Sequence, residues 1–321
     1  MRRLGLNPIV IALILAVILF VVGGIVQPGF ASFGQAMNIL RLAAFLGIVA
    51  AGQTLVIISG GEGIDLSVGA MITLGAILVF RIGDGQNEQA LIALTIALGV
   101  GLLLGAVNGF GITLLGIPPL VMTLGMAGVV QGLILVITGG RVEGEAAPAL
   151  TGLVSGSLVL GIPGVIFLWL LLGGAMWLVL QRTAYGRRLF AVGTNRVTAK
   201  LSGVRVPSVL VLTYSLSGML AALGGVVLLG YTEQVFLNLG DPYTLPSVAA
   251  VVVGGTLLAG GMGSYFGTMA GALVLTLLTS LLTALDLPES VRLMVYGVTL
   301  LLLLSLYGRQ KALRQLSLIH L

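Results

Sequence analysis

The sequence predicts an all-α, polytopic integral membrane bundle of about ten transmembrane helices, interrupted by glycine-rich broken or re-entrant segments. Three observations carry that class. Of 321 residues, 58% are hydrophobic and only 8% charged, whereas a soluble domain has about a quarter of its residues charged. The apolar residues gather into stretches near the ~20 residues that a helix needs to cross a bilayer. Two of those stretches are cut by dense glycine clusters at 60–63 and 260–263. A chain of this length would otherwise suggest roughly two domains, but such near-continuous apolar runs make residues 1–321 a single transmembrane domain.

In chain order the expected spans are Pro8–Val26, Ile39–Ser59, Leu66–Phe80, Ala90–Leu115, Pro119–Thr138, Ile162–Leu180, Val206–Gly230, Thr244–Ala259, Tyr265–Leu285 and Ser290–Leu306. Arg2 and Arg3 precede the first as they would in a signal peptide. Its apolar run exceeds the usual ~7–15-residue core of such peptides and no cleavage site follows, so it reads as a retained helix. Most spans are apolar on every side, and periodicity does not say which face is buried. Small residues such as Gly105, Gly109, Gly111, Gly267 and Gly271 suit close approach of helix backbones.

Basic residues set the orientation. With ten alternating spans, Arg2, Arg3, the six of the 181–207 loop, Arg309, Lys311 and Arg314 fall on one side. Arg41, Arg81, Arg141 and Arg292 fall on the other. The richer side is the cytoplasm by the positive-inside bias, which places both termini and the tail 307–321 there.

The two interruptions differ from ordinary loops. Gly60-Gly61-Glu62-Gly63-Ile64-Asp65 carries two acids and three glycines with no basic residue. The spans beside the breaks, Leu66–Phe80 and Thr244–Ala259, are short, as in discontinuous helices that line a solute path. Gly52–Ala70 is echoed locally by Gly254–Thr268: each holds Gly-x-Thr-Leu, a short apolar run and Gly-Gly-x-Gly. Gly61, Asp65, Gly260 and Gly261 are therefore candidate gating positions, and Gln53, Thr54, Asn108 and Thr123 candidate path liners that equally suit helix–helix hydrogen bonding. Asp65, just before Leu66-Ser67-Val68-Gly69, is placed to cap a restarting helix through its backbone N–H groups.

The longest inside loop, 181–206, holds six basic residues and no acid. Thr194 or Asn195 can cap a short helix over Thr194–Ser202 that Gly203 stops, with Gly193 turning the chain into it. Val197 and Leu201 share one face of that helix, and Arg196 and Lys200 an adjacent one. Two helical turns are not stable alone in water, so the helix docks, on another protein or on anionic headgroups.

Several classes are excluded. There is no cysteine, and the lone histidine, His320, stands next to the last residue. No nucleophile, metal-ligand or acid–base constellation is spelled out, so no catalytic residue and no metal site are expected. No Gly-x4-Gly-Lys-[Ser/Thr] phosphate loop occurs. The energy for transport must come from another chain or from an ion gradient.

GGEGIDLSVGAM resembles the GGIDLSVG signature of permeases of the ribose/carbohydrate ABC importer family. Asn108–Leu133, Ala191–Val204 and Val252–Ala272 resemble that family's other signature segments in the same order, and Glu62-Gly63 is an insertion relative to the usual Gly-Gly-Ile-Asp. The resemblance implies a multi-pass permease of the bacterial plasma membrane that pairs with a second, identical or homologous permease. It further implies a cytoplasmic ATPase partner, often tandem-domain, carrying ATP and Mg, and an extracytoplasmic binding protein that delivers a sugar. On that reading no cofactor belongs to this chain, no nucleic acid is a partner, and Gly193–Gly203 is the element that couples to the ATPase. The alternative is an ion-coupled secondary transporter or facilitator, for which discontinuous helices are also typical.

Overall fold

The computed structural model describes residues 8–298 apart from 289, 293 and 296. Its elements are α1 (Pro8–Val26), α2 (Phe33–Ile58), α3 (Val68–Gly83), α4 (Asn87–Leu114), α5 (Pro119–Thr138) and α6 (Pro148–Val154), then a hairpin of β1 (Ser157–Val159) and β2 (Ile162–Pro163). They continue with α7 (Gly164–Arg182), α8 (Ala184–Thr194), α9 (Arg196–Leu201), α10 (Val206–Thr232), a 3-10 turn at Asp241–Tyr243, α11 (Thr244–Val253) and α12 (Tyr265–Ala284). Among the described residues seven helices are long and apolar enough to span a membrane, and α3 and α11 are shorter apolar helices. The protein is thus an all-α polytopic membrane bundle. The tail 307–321, His320, Arg2 and Arg3 lie outside the described residues, as does most of the tenth expected span, Ser290–Leu306.

Local chemistry explains many of the ends. Ser32 caps α2, its Oγ accepting the Gln35 N–H at 3.3 Å. Proline stands in the first turn of α5, α6 and α10, where its missing N–H costs no helical bond. Between β1 and β2 the chain reverses through Leu160 and Gly161, both left-handed, the backbone that a two-residue hairpin turn requires. This hairpin shortens the expected span Ile162–Leu180 at its start, because α7 begins only after Pro163.

Burial separates an inner from an outer ring. In α2 89% and in α10 72% of the apolar window is buried, against 17% for α1 and 22% for each of α4 and α5. The outer helices present leucine, isoleucine and valine outward, as lipid demands. Small residues bring helices together: a methyl group at Gly105 would overlap Tyr214 O, and one at Gly109 the Cα of Val211. Gly267 and Gly271 likewise lie against Gly254 and Ala250.

The short helices fall short of a full span, α11 by half. At ~1.5 Å per residue α3 is about 24 Å long and α11 about 15 Å, against a hydrocarbon core of ~30 Å. α3 starts at Val68, later than the expected Leu66, and runs on to Gly83. α11 ends at Val253 and not at Ala259, because Gly255 turns left-handed (φ +88°) and Leu257 N–H reaches across to Met262 O. Between α10 and α11 the chain descends along α3, where Gly240 N–H donates to Thr73 Oγ1 at 2.9 Å.

Candidate functional site

Two clusters gather the residues that the sequence singles out. The first surrounds Asp65, fully buried between α2 and α3. One carboxylate oxygen accepts the Ser67 N–H at 3.0 Å and the Ser67 hydroxyl at 2.5 Å. The other accepts the Ser217 hydroxyl of α10 at 2.8 Å. The Asp65 backbone is clamped by the Gln53 amide of α2, which donates to Asp65 O at 2.6 Å and accepts Asp65 N–H at 3.2 Å. Asn108 of α4 donates to Ser67 Oγ at 3.0 Å, and Thr123 of α5 accepts Leu66 N–H at 3.1 Å. The Ile64 carbonyl, the Asp65 N–H and carbonyl and the Leu66 N–H thus each find a side chain from a neighbouring helix, as unwinding at membrane depth requires. Among the described residues Asp65 makes no ion pair, and its three carboxyl hydrogen bonds come from two hydroxyls and an N–H.

Asp65 does bond backbone at the restart, but as a turn on Ser67, with the helix beginning at Val68. Ser67 and Ser217 were not singled out in the sequence. Thr54 stands apart from the network: it bonds Thr268 of α12 at 2.8 Å. Gln53, Thr54, Asp65, Asn108 and Thr123 are all 0% exposed, so within this chain each is sealed between helices.

The second cluster is a junction of three backbones. Gly60 and Gly61 are left-handed at φ +69° and +64°, and Gly260 and Gly261 at +84° and +73°. The two pairs touch: a methyl group at Gly260 would overlap the Cα of Gly60, and one at Gly60 would stand 2.8 Å from Gly193 O, at the end of α8. Gly261 N–H donates to Ile58 O at 2.9 Å, which ties the second break to the end of α2. A side chain at Gly193 would overlap Ile58 O and approach Gly261 N to 2.6 Å. Only glycine fits such approach combined with left-handed backbone. Arg196 closes the junction, its Nη2 donating to Gly60 O at 2.9 Å.

The 181–206 loop holds two helices where the sequence suggested one. Thr183 caps α8 by accepting Gly186 N–H at 3.1 Å. Leu189 and Val192 are buried, and Tyr185 OH bonds Thr213 of α10 at 2.8 Å. Burial pushes the Tyr185 phenol up to about 12, so it stays neutral at physiological pH. Thr194 is the last residue of α8, with its hydroxyl on Phe190 O, and is not a cap. Asn195 is the cap, its Oδ1 accepting Val197 N–H and Thr198 N–H at 2.9 and 3.0 Å. The expected helix Thr194–Ser202 is therefore α9, Arg196–Leu201, and Gly203 follows it at φ +82°. Arg196 turns inward to the break and does not stay beside Lys200 on an outer face. Val197 and Leu201 face outward, 69% and 83% exposed, with Lys200 exposed beside them.

Pro8, at the start of α1, lies against Gly255, in the segment that also meets Gly193. The start of α1 and the 181–206 loop thus share one end of the bundle. The sequence family described as the permease component of branched-chain amino acid transport systems matches residues 35–304.

The chain belongs to this permease family.

The ribose import permease protein RbsC of Bacillus subtilis (strain 168) is 35% identical to this permease over 296 residues, 92% of this chain and 91% of that protein. RbsC of Escherichia coli (strain K12) is 33% identical over 301 residues, 91% of each. The autoinducer 2 import system permease protein LsrC of Yersinia pestis (strain Pestoides F) is 35% identical over 302 residues, 93% of this chain and 84% of that protein. No solved structure matches the permease significantly. These relatives are transport permeases and not enzymes, and the permease is a multi-pass membrane protein.

Proposed function

We propose that this permease forms the solute path of an ATP-driven importer for a sugar-like solute, and that α9 is the element its ATPase partner grips. The sugar reading draws on the ribose import permeases, similar over nine-tenths of their length. The assembly adds a second permease, an extracytoplasmic binding protein, and an ATPase that holds ATP and Mg. Both termini and residues 181–206 lie in the cytoplasm, as the basic residues prefer.

One observation carries the coupling assignment: α9 holds Val197 and Leu201 in solvent while Arg196, on the same six residues, is bonded to the first glycine break. Burying each of those apolar side chains in a partner is worth about 1.5–3 kcal/mol. Their exposure on a polar loop marks them as an anchor awaiting a cleft. Displacement of α9 then reaches Gly60, Gly193 and Gly261, hence the ends of α2 and of the segment after α11. The path changes the side it faces by moving between two such packings.

Leu201→Asp should leave insertion intact and abolish co-purification of the ATPase, with uptake falling in parallel at matched expression. Uptake that persists without bound ATPase would remove the importer reading and leave an ion-coupled carrier. Orientation is checked separately, since the chain has no cysteine of its own. Cysteine at Arg187 should resist an impermeant thiol reagent outside intact cells, whereas cysteines at Asn87 and Thr232 should react.

A further inference from the structure

A groove of about 400 Å³ lies between α2 and α12, within the ~300–1,000 Å³ of small-molecule sites. Its walls carry Gln35 and Asn38 from α2 and Thr276, Thr279, Ser280 and Thr283 from α12. Both sets repeat at helical spacing, so each wall is a continuous polar stripe. They occupy the halves of α2 and α12 remote from the glycine junction. The inner end is closed by Leu42 and Leu46 of α2 with Tyr243 and Pro246, where the descending chain enters α11. Among the described residues the lining holds no charged side chain, but the Arg292 guanidinium reaches the groove's edge, donating to Thr283 Oγ1 at 2.6 Å.

The stripe is costly where it stands unless water or solute meets it. Polar side chains in a spanning helix face a bundle interior or an aqueous cavity and not lipid. A threonine can satisfy itself on its own helix, as Thr279 does on Leu275 O at 2.8 Å. A primary amide cannot fill two donors and an acceptor that way. Among the described residues neither the Gln35 nor the Asn38 amide has a protein partner, and both are half-buried in the groove. The path candidates of the sequence, by contrast, are sealed and bonded among themselves.

We propose that this groove is the outer vestibule of the solute path and that it takes a neutral, polyhydroxylated solute. Amides and hydroxyls donate and accept alike, which suits the alternating donors and acceptors of sugar hydroxyls. A zwitterionic amino acid would find no anion for its ammonium group among the described lining residues, and the one cation at the edge, Arg292, is engaged with Thr283. Leu42, Leu46, Tyr243 and Pro246 form the apolar floor that separates the vestibule from the glycine junction. The proposal rests on the import reading above and locates where in the chain the solute enters.

The test uses the full transporter in membranes, with single cysteines at Asn38, Thr276 and Ser280 and a control at Leu171, an exposed position on α7. Thiolates form in water and not in lipid, so the three groove sites should react with a charged methanethiosulfonate at least about tenfold faster than the control. A mixture of neutral pentoses and hexoses should slow the reaction at Ser280→Cys, and leucine should not. Labelling no faster than the control overturns the proposal, as does disulfide cross-linking of Ser280→Cys between two copies without labelling, which would make this face a dry interface. Protection by leucine alone, or by neither probe, overturns the assigned solute class. Labelling does not depend on ATPase binding. Fast labelling together with an ATPase that survives Leu201→Asp would keep the vestibule and discard the coupling assignment.

Discussion

At the first glycine break, Gly60 and Gly61 take φ of +69° and +64°; at the second, Gly260 and Gly261 take +84° and +73°. The motif before each pair is also shared, Gly-x-Thr-Leu at 52–55 and at 254–257. The conformations before the pairs are nevertheless opposite. Gly52–Leu55 is buried helix within α2, while Gly254–Leu257 has already left α11 and turned at Gly255. At the first break Gln53 occupies the place of Gly255 and its amide clamps the Asp65 backbone. Beyond the first pair lies a carboxylate with three hydrogen bonds; beyond the second lies Ser264 and the start of α12, with no acid. The glycine pair sets a turn that can touch another backbone. The residues around it decide whether the turn is locked or left to packing alone.

Substitutions at four positions would break or sharpen that contrast. The largest effect is expected from Gly193→Leu, which strikes Ile58 O and Gly261 N together and so loads both breaks. Overpacking against backbone costs ~1–3 kcal/mol or more. Monodisperse protein in size-exclusion chromatography should fall about tenfold or further, and yield near wild type would mean that the three backbones are not held this close.

Asp65→Leu touches only the locked break. It leaves the Ser67 and Ser217 hydroxyls without their acceptor, and each buried unsatisfied group costs ~1–3 kcal/mol. The unfolding midpoint of the purified transporter should drop clearly. Asp65→Asn keeps one acceptor and should lose about 1 kcal/mol with much of the transport retained. Equal loss of transport in both variants, at normal expression, would instead assign the charge itself a role.

Arg196→Ala removes one charge-assisted bond to Gly60 O, worth ~1.5–3 kcal/mol at most in so partly exposed a place. The ATPase should still co-purify, because Val197 and Leu201 remain, while uptake per bound ATPase decreases. Unchanged uptake would show that the junction transmits displacement through glycine contacts alone. The smallest effect belongs to Glu62→Gly. Glu62 is exposed and left-handed at φ +60°, so glycine there should be neutral or stabilising by under about 1 kcal/mol. A large loss would give the Glu62 side chain a contact outside this chain.

Much of this was legible in the residues. The solvent, the series of apolar segments, the two breaks and the basic loop all follow from transfer free energy and backbone freedom. Those are properties of a residue and its near neighbours. The helix after Gly193 was legible because Asn195 and Gly203 are local signals, although Thr194 offered an equally good cap on paper. The hydroxyl stripe Thr276, Thr279, Ser280 and Thr283 was also present in the spacing, but apolar-all-round helices hid its significance.

The sequence by itself thus determined that the chain lives in lipid, where its backbone must unwind, and which loop carries the charge. Tertiary structure alone decided that the two breaks meet each other and the end of α8, and that Arg196 points inward. It also decided that Gln53, Asp65, Asn108 and Thr123 are sealed while Gln35 and Asn38 face a groove. The physical reason is range. The Arg196–Gly60 bond joins residues 136 apart and the Thr54–Thr268 bond residues 214 apart. In helices apolar on every side, only the packing of distant backbones selects which small residues touch and which polar ones are enclosed.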